Sequence, residues 1–370
     1  MAQRPIRVYL GIDPTGSLLT LGHAVVLRKL QQFAQAGHQT ILLIGNGTVK
    51  IGDPTGRDST RPALTDADIE ANFLTWKEQA SKILDFSKIE IRKNGDWLDN
   101  LGLAEFIKLA AKTTVQQLLE RDMFQERLRK QLPIHGHELL YPLLQGYDSV
   151  AMDVDLELGG TDQTFNMLMG RNLQKIYHDK EKWVLSTPII NGTDGRKMSK
   201  SYGNFIALTE NPTDMYGKLM RVDDSMIIEY FMLLSDLPQA EIEVMAAAMQ
   251  QGENPLTFKK QLALSITTWL HSPELAQSAQ AHFEQTVQAG EAPADVPTVT
   301  LDTKEPVLLD VLSLCVPTET RSSLRRLCEQ GGVELLPQGK KPLNPLEPFT
   351  IVPNQIIRIG KRRFFSLKVA

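Results

Sequence analysis

The tightest constraint on how this chain folds lies in residues 7–44. Arg7-Val8-Tyr9-Leu10-Gly11-Ile12 reads as a short buried strand running into a turn cluster, Asp13-Pro14-Thr15-Gly16-Ser17. A helix opens near Gly22-His23, and Val26, Leu30 and Phe33 recur on it at helical spacing. Gly37 is its stop, because glycine takes the left-handed cap without a Cβ clash. Thr40-Ile41-Leu42-Leu43-Ile44 follows as a continuous apolar run, which suits a parallel strand covered on both faces. Strand, helix, strand in this order predicts a βαβ unit and hence an α/β fold.

Residues 65–144 read as mostly helical, and Trp183 to Ile190 as another buried strand. Residues 211–288 are helical again, anchored by Phe231, Leu233, Leu234 and Trp269. No period holds across 289–306, which is rich in Ala, Pro, Thr and acids, and this stretch is expected to be a linker. The net charge is −4, but from Arg321 to Ala370 ten Lys or Arg face three Glu. That tail is +7 and the remainder −11, the asymmetry of a small basic module on an acidic body.

Other classes find no support. No apolar run is long enough to cross a bilayer, and Ala2 to Arg7 is polar and basic, so a soluble cytoplasmic protein is expected. Cys315 and Cys328 fit neither zinc spacing nor a disulfide framework and are expected to be reduced core thiols. His135-Gly136-His137, the closest histidine pair, lacks a Cys or acidic ligand set, so no metal site is expected there. Neither GxGxxG nor a Walker GxxxxGK[ST] occurs, which removes the main argument for a dehydrogenase or a P-loop ATPase.

Three segments carry chemistry. In the first, Gly11 through Asp13, Thr15, Gly22 and His23, a helix N-terminus after a strand offers free N–H groups and a positive dipole end to phosphate. Alone it is also an ordinary βα turn. The second is Arg196-Lys197-Met198-Ser199-Lys200-Ser201 after a Gly-rich turn. Two ammonium groups on a loop can clamp a polyphosphate, and alone they are also a solvated basic loop. In the third, Tyr141, Gln145 and Asp148 fall at i, i+4 and i+7, one face of a helix, either a pocket lining or a solvated stripe. Gly159-Gly160-Thr161-Asp162-Gln163 follows as a turn that either lines a nucleotide site or joins two elements.

Taken together, these segments resemble class I aminoacyl-tRNA synthetases. Lys197 to Ser201 matches the KMSKS signature in all five positions, and Thr20-Leu21-Gly22-His23 is similar to HIGH. Tyr141 to Asp148 with Gly159 to Gln163 resembles the substrate helix and Gly-Gly-Thr-Asp-Gln turn of the bacterial tyrosyl-tRNA synthetases, and the likeness runs from about Arg7 to Ala370. The resemblance implies a Rossmann-like parallel-sheet catalytic domain over 1–206 with a helical insertion at about 65–144. A helical domain (207–288), the linker and an α+β RNA-binding module of the ribosomal small-subunit type (307–370) would follow. It implies tyrosine activation by ATP with Mg2+ and transfer to tRNA(Tyr), in a homodimer with no tightly bound cofactor. His23, Thr20, Lys197 and Lys200 would be the catalytic positions. Gly11, Asp13, Thr15, Gly22, Gly159, Asp162 and Met198 join His23 and Lys200 around ATP. Tyr9, Asp53, Tyr141, Gln145, Asp148 and Gln163 would hold tyrosine. Arg321, Arg325, Arg326, Lys361, Arg362 and Arg363 would meet RNA phosphates.

Three departures stand out. Thr20 replaces the first HIGH histidine and can give only a neutral hydrogen bond, so slower activation is expected. Asn46 and Gly47 stand where the family commonly has Asp and Phe, and Lys50 adds a charge to that loop. Family members usually carry a helical segment before the first strand, where only six residues precede Arg7; the helix is absent or the start is placed too late. These keep two other expectations open, a weakened paralogue acting as an RNA-binding or regulatory protein and a synthetase for another aromatic amino acid.

Overall fold

The computed structural model describes residues 4–55, 64–200, 202–288, 296–336, 343–360 and 363–369. They form two compact units, 1–211 with 218–272, and 212–217 with 273–370.

The first unit is built on five parallel strands. These are β1 (Arg7–Ile12), β2 (Gln39–Ile44), β3 (Ile89–Lys93), β4 (Leu156–Gly160) and β5 (Trp183–Thr187), in the order β3-β2-β1-β4-β5. The expected βαβ unit is present, with helix Leu21–Gln35 joining β1 to β2 in a register that sets Tyr9 against Ile41 and Ile12 against Ile44. Val8, Tyr9, Ile41, Leu43 and Ile44 are buried, as strands covered on both faces require. Strand order reverses at β1, whose neighbours are β2 on one side and β4 on the other. The carboxyl ends of two such strands splay apart and leave a crevice.

Two expectations for this unit need correction. Segment 65–144 is not purely helical, since it contributes β3, whose Ile-Glu-Ile-Arg-Lys sequence reads as polar because it is an edge strand. β5 also lies at an edge and ends at Thr187, with Trp183 65% exposed, so it is not the fully buried strand expected to reach Ile190. Helix Tyr141–Met152 starts with Pro142 in its first turn and stops at Asp153 in the left-handed region. Residues 218–272 pack with the sheet rather than standing alone. Arg28, on the first helix, donates to Ser235 O and Asp236 at 2.7 Å and lies 4.7 Å from the Trp269 ring centre.

The second unit holds β6 (Thr298–Leu301), β7 (Val333–Leu336), β8 (Ile356–Ile359) and β9 (Arg363–Val369), in the order β6-β9-β8-β7. The linker reading of 289–306 is therefore wrong at 298–301, where a four-residue strand is too short to show a period. Residues 289–295 lie outside the described residues. Helices Leu308–Cys315 and Arg321–Glu329 pack their apolar faces on this sheet through Leu308, Val311, Leu312 and Leu324 against Ile357 and Ile359. Cys315 and Cys328 are free and buried.

Candidate active site

A cavity of about 340 Å³ opens at the carboxyl ends of β1 and β4, where the strand order reverses. It gathers nearly all the residues expected at the ATP and tyrosine sites. Tyr9, Gly11, Asp13, Thr15, Thr20, Gly22 and His23 reach it from β1 and the following turn. Asp53, Tyr141, Gln145 and Asp148 join them, with Gly159, Asp162 and Gln163 after β4 and Lys197 and Met198 from the loop beyond β5. Lys200 lies beside this group, its Nζ 3.4 Å from where a Cβ on Gly16 would sit. Ser201, Lys361 and Arg362 lie outside the described residues.

The turn after β1 is stitched down by helix Asp66–Ala80. Asn72 donates to Pro14 O at 3.0 Å, Gln79 to Ser17 O at 2.7 Å, and the Trp76 indole to Gly16 O. Thr20 caps helix Leu21–Gln35 from the extended region. Its backbone N–H donates to His23 Nδ1 at 3.1 Å, and its Oγ1 lies 3.0 Å from the same nitrogen. Nδ1 is thus an acceptor, the ring proton sits on Nε2, and that N–H is the donor left for a ligand. Thr20 is committed to the cap and to orienting His23.

Asp13 is held on both oxygens, by Thr48 Oγ1 at 2.8 Å and by the Tyr141 hydroxyl at 2.8 Å. Gly45 admits it, since a Cβ there would fall 1.9 Å from Asp13 Oδ1. The departure at residues 46–47 closes on a different partner: Asn46 accepts from Gly95 N and Gly47 N donates to Asn94, each at 2.8 Å. Lys50 turns to Asp66 and Asp99 at 3.3 and 3.5 Å, away from the cavity lining. Asp53 accepts from Gln163 at 2.7 Å and from Thr55, whose hydroxyl takes a bond from buried Arg121 at 2.6 Å.

At the buried end, Asp148 is 2% exposed and accepts from Trp97 Nε1 at 2.8 Å and Asn94 Nδ2 at 3.1 Å. Burial raises its carboxyl well above the ordinary carboxylate range, against those two bonds. Tyr9 is fully buried, and burial first, then the charges of Glu157 and Asp148, push its phenol above 10. Residue types alone do not point to Thr48, Asn94, Trp97, Arg121, Ser149, Glu157 or Lys182. One signal is available for Glu157, an acid inside the otherwise apolar strand β4.

The loop beyond β5 is a small hairpin bridged at Asn191 and Lys197. Asn204 pins it, accepting from Ser199 N at 2.8 Å and donating to Asp194 at 2.6 Å. Lys197 is 54% exposed and pairs at 3.1 Å with Asp162, a carboxylate of the cavity lining. In the second unit, Arg321 pairs with Asp310, Arg325 with Glu329 and Arg363 with Glu319, all at the surface, and Arg326 is exposed. Such exposed pairs contribute little to stability.

Burial, then the Lys200 ammonium, lower the His23 pKa from 6.5 to about 4, so the ring is a neutral donor at pH 7. Between those values the unfolded chain binds a proton that the folded chain refuses. Folding stability therefore falls as pH drops from 6.5 toward 4 and is unaffected above that window. An NMR titration should place the His23 midpoint near 4, and His23→Asn should flatten the acid slope of stability; a midpoint at 6.5 would contradict the lowering by burial and Lys200.

Residues 1–288 match the family model described as tRNA synthetases class I (W and Y). The tyrosine–tRNA ligase of Symbiobacterium thermophilum is 47% identical over 98% of this chain and 89% of its own length. That of Thermotoga maritima is 45% identical over 98% and 90%. Among solved structures, a C-terminally truncated mitochondrial tyrosyl-tRNA synthetase of Aspergillus nidulans has a TM-score of 0.64 at 21% identity, covering 76% of this chain and 86% of that one. The Archaeoglobus fulgidus tyrosyl-tRNA synthetase complexed with L-tyrosine has 0.60 at 24%, covering 75% and 90%. These structural likenesses carry the fold, and the sequence matches carry the family: the chain belongs to the class I aminoacyl-tRNA synthetases, among the tyrosine–tRNA ligases.

Proposed function

We propose that the cavity is where the chain activates tyrosine with ATP and loads it onto tRNA(Tyr). The observation that carries this reading is the meeting of Tyr9 and Asp148, both buried, in one cavity with His23 and the half-exposed Lys197. The phenol of tyrosine lies between Tyr9 and Asp148, and its ammonium meets Asp53, Tyr141, Gln145 and Gln163. In the first step a carboxylate oxygen of tyrosine bonds to the ATP α-phosphorus, and the bond from that phosphorus to the bridging oxygen breaks, releasing pyrophosphate. In the second, a terminal ribose hydroxyl of tRNA attacks the acyl carbon and AMP leaves. No enzyme nucleophile is required, so the protein contributes positioning and charge stabilisation.

His23 Nε2–H is aimed at the polyphosphate as a neutral donor, while Lys197 and Lys200 hold the leaving pyrophosphate. Lys197 must leave Asp162 to do so, and an exposed pair costs little to open. Gly11, Asp13, Thr15, Gly22, Gly159, Asp162 and Met198 surround the nucleotide, and Mg2+ travels with the ATP phosphates as part of the substrate. Thr20 cannot stabilise phosphate charge as histidine does, so the burden falls on His23 and the two lysines.

The basic residues of the second unit bind tRNA phosphates in this reading. We place the chain in the cytoplasm as a homodimer, whose interface includes the exposed apolar Leu103, Ile107 and Val115. No helix among the described residues is long and apolar enough to cross a membrane.

Asp148→Ala should raise the tyrosine KM steeply and erode the preference for tyrosine over phenylalanine. Tyrosyl-tRNA synthetases are themselves the standard example of such selection, about 10⁵ for the class, because a site that bonds the phenol leaves buried groups unpaired when phenylalanine enters. Unchanged selection in pyrophosphate exchange would sink the pocket assignment. A chain ending at Gln288, ahead of β6, should keep tyrosine activation and lose most tRNA charging. Equal loss of both would remove the RNA-binding role of the second unit.

A further inference from the structure

Behind the cavity lies an ion pair that the two-step reaction does not use. Lys182 is fully buried and Glu157 is 1% exposed. The Lys182 ammonium donates to Glu157 Oε2 and, at 3.0 Å, to Met167 O. It also lies 5.7 Å from the Tyr9 ring centre. Room for it comes from Gly170, where a Cβ would fall 2.5 Å from Lys182 Nζ and 2.6 Å from Ser149 Oγ. A packed core leaves such space only for groups it accommodates throughout.

Glu157 also lines the cavity and collects the groups that face substrate. Gln145 Nε2 donates to its Oε1 at 3.1 Å, and Ser149 Oγ donates to its Oε2 at 3.5 Å. The Tyr9 hydroxyl lies 3.0 Å from Ser149 Oγ. An ionised carboxylate only accepts, so every neighbour must turn a donor toward it. Ser149 turns its one hydroxyl proton to Glu157, and Tyr9 turns its own to Ser149 or to Glu157 itself. What Tyr9 presents to the cavity is then lone pairs. Gln145 likewise commits an amide N–H, and its Oε1 is left buried without a hydrogen-bond partner among the described residues.

We propose that Lys182 and Glu157 are positioning residues that set the hydrogen-bond polarity of the amino-acid pocket, turning Tyr9 and Gln145 into acceptors toward a substrate that brings donors. This rests on the reading that tyrosine lies between Tyr9 and Asp148. The ammonium is the donor toward Gln145, the phenol brings one O–H proton that Tyr9 and Asp148 share, and phenylalanine lacks it. Lys182 is the cation that the buried Glu157 carboxylate faces, and this pairing holds Glu157 as an acceptor with its neighbours' donors turned toward it. A neutral pair at these two positions no longer fixes the order of bonds through Ser149 to Tyr9.

Replacing one partner alone strands a buried charge, so the test replaces both, in the full chain, with near-isosteric neutral side chains. Lys182→Met with Glu157→Gln removes the charge and lets residue 157 donate or accept. The tyrosine KM should rise about tenfold with kcat changed less than about threefold, and tyrosine-over-phenylalanine selection should fall about tenfold, the scale of one net hydrogen bond. A merely structural pair would lower thermal stability and leave that ratio alone, and this result overturns the inference. Ser149→Ala cuts the same relay without touching a charge. It should lower selection in the same direction, and it decides the question if the paired variant does not fold. Asp148→Ala serves as the control. If it leaves selection intact, the tyrosine assignment fails and the inference with it; if it erodes selection while the paired and Ser149 variants do not, the inference fails alone.

Discussion

The structure depends on one topological constraint, the reversal of strand order at β1 in an all-parallel sheet. Parallel strands bring all their carboxyl ends to the same edge. Where the order reverses, the connections on either side lead away from each other and leave a crevice that no side chain fills. The turn after β1 brings Asp13, Thr20 and His23 to one wall of it, and the turn after β4 brings Asp162 and Gln163 to another. The site follows from how the sheet is wound. The chemistry follows from which polar groups the sequence places in that crevice.

Those groups are dense in charge for a buried place. Asp148, Glu157 and Lys182 are all nearly or fully buried, and isolated charges at such depth are strongly disfavoured. The structure offsets this with partners: Trp97 and Asn94 on Asp148, and Lys182, Gln145 and Ser149 on Glu157. A site satisfied from behind in this way has fixed donor and acceptor directions before a ligand arrives, so little reorganisation is left for the binding step. The same holds at the other end of the cavity, where Thr20 fixes the tautomer of His23 and Asp162 holds Lys197.

Much of this is legible in the sequence. The apolar run of β2 and the helical spacing before it point to the βαβ unit. The i, i+4, i+7 spacing of Tyr141, Gln145 and Asp148 puts three polar groups on one helix face, and all three line the cavity. Edge strands are not legible: β3 and β5 carry charged or exposed residues because only one side of each is paired, so their patterns lose the apolar continuity of a central strand. β6 is hidden by its length. The partners behind the pocket are also out of reach, because Asn94, Trp97, Arg121 and Lys182 meet it only through long-range packing. Thr20 on its own suggests a loss of function at one position, and its bonds to His23 give that position a different task.

The central claim is that this cavity selects tyrosine and activates it with ATP. It is tested most directly by amino-acid-dependent ATP–pyrophosphate exchange with the purified chain, run in parallel with tyrosine, phenylalanine and tryptophan. Exchange that is rapid with tyrosine and at background with the other two is the expected result. Exchange driven by tryptophan or phenylalanine, or none with any of the three, would contradict the account.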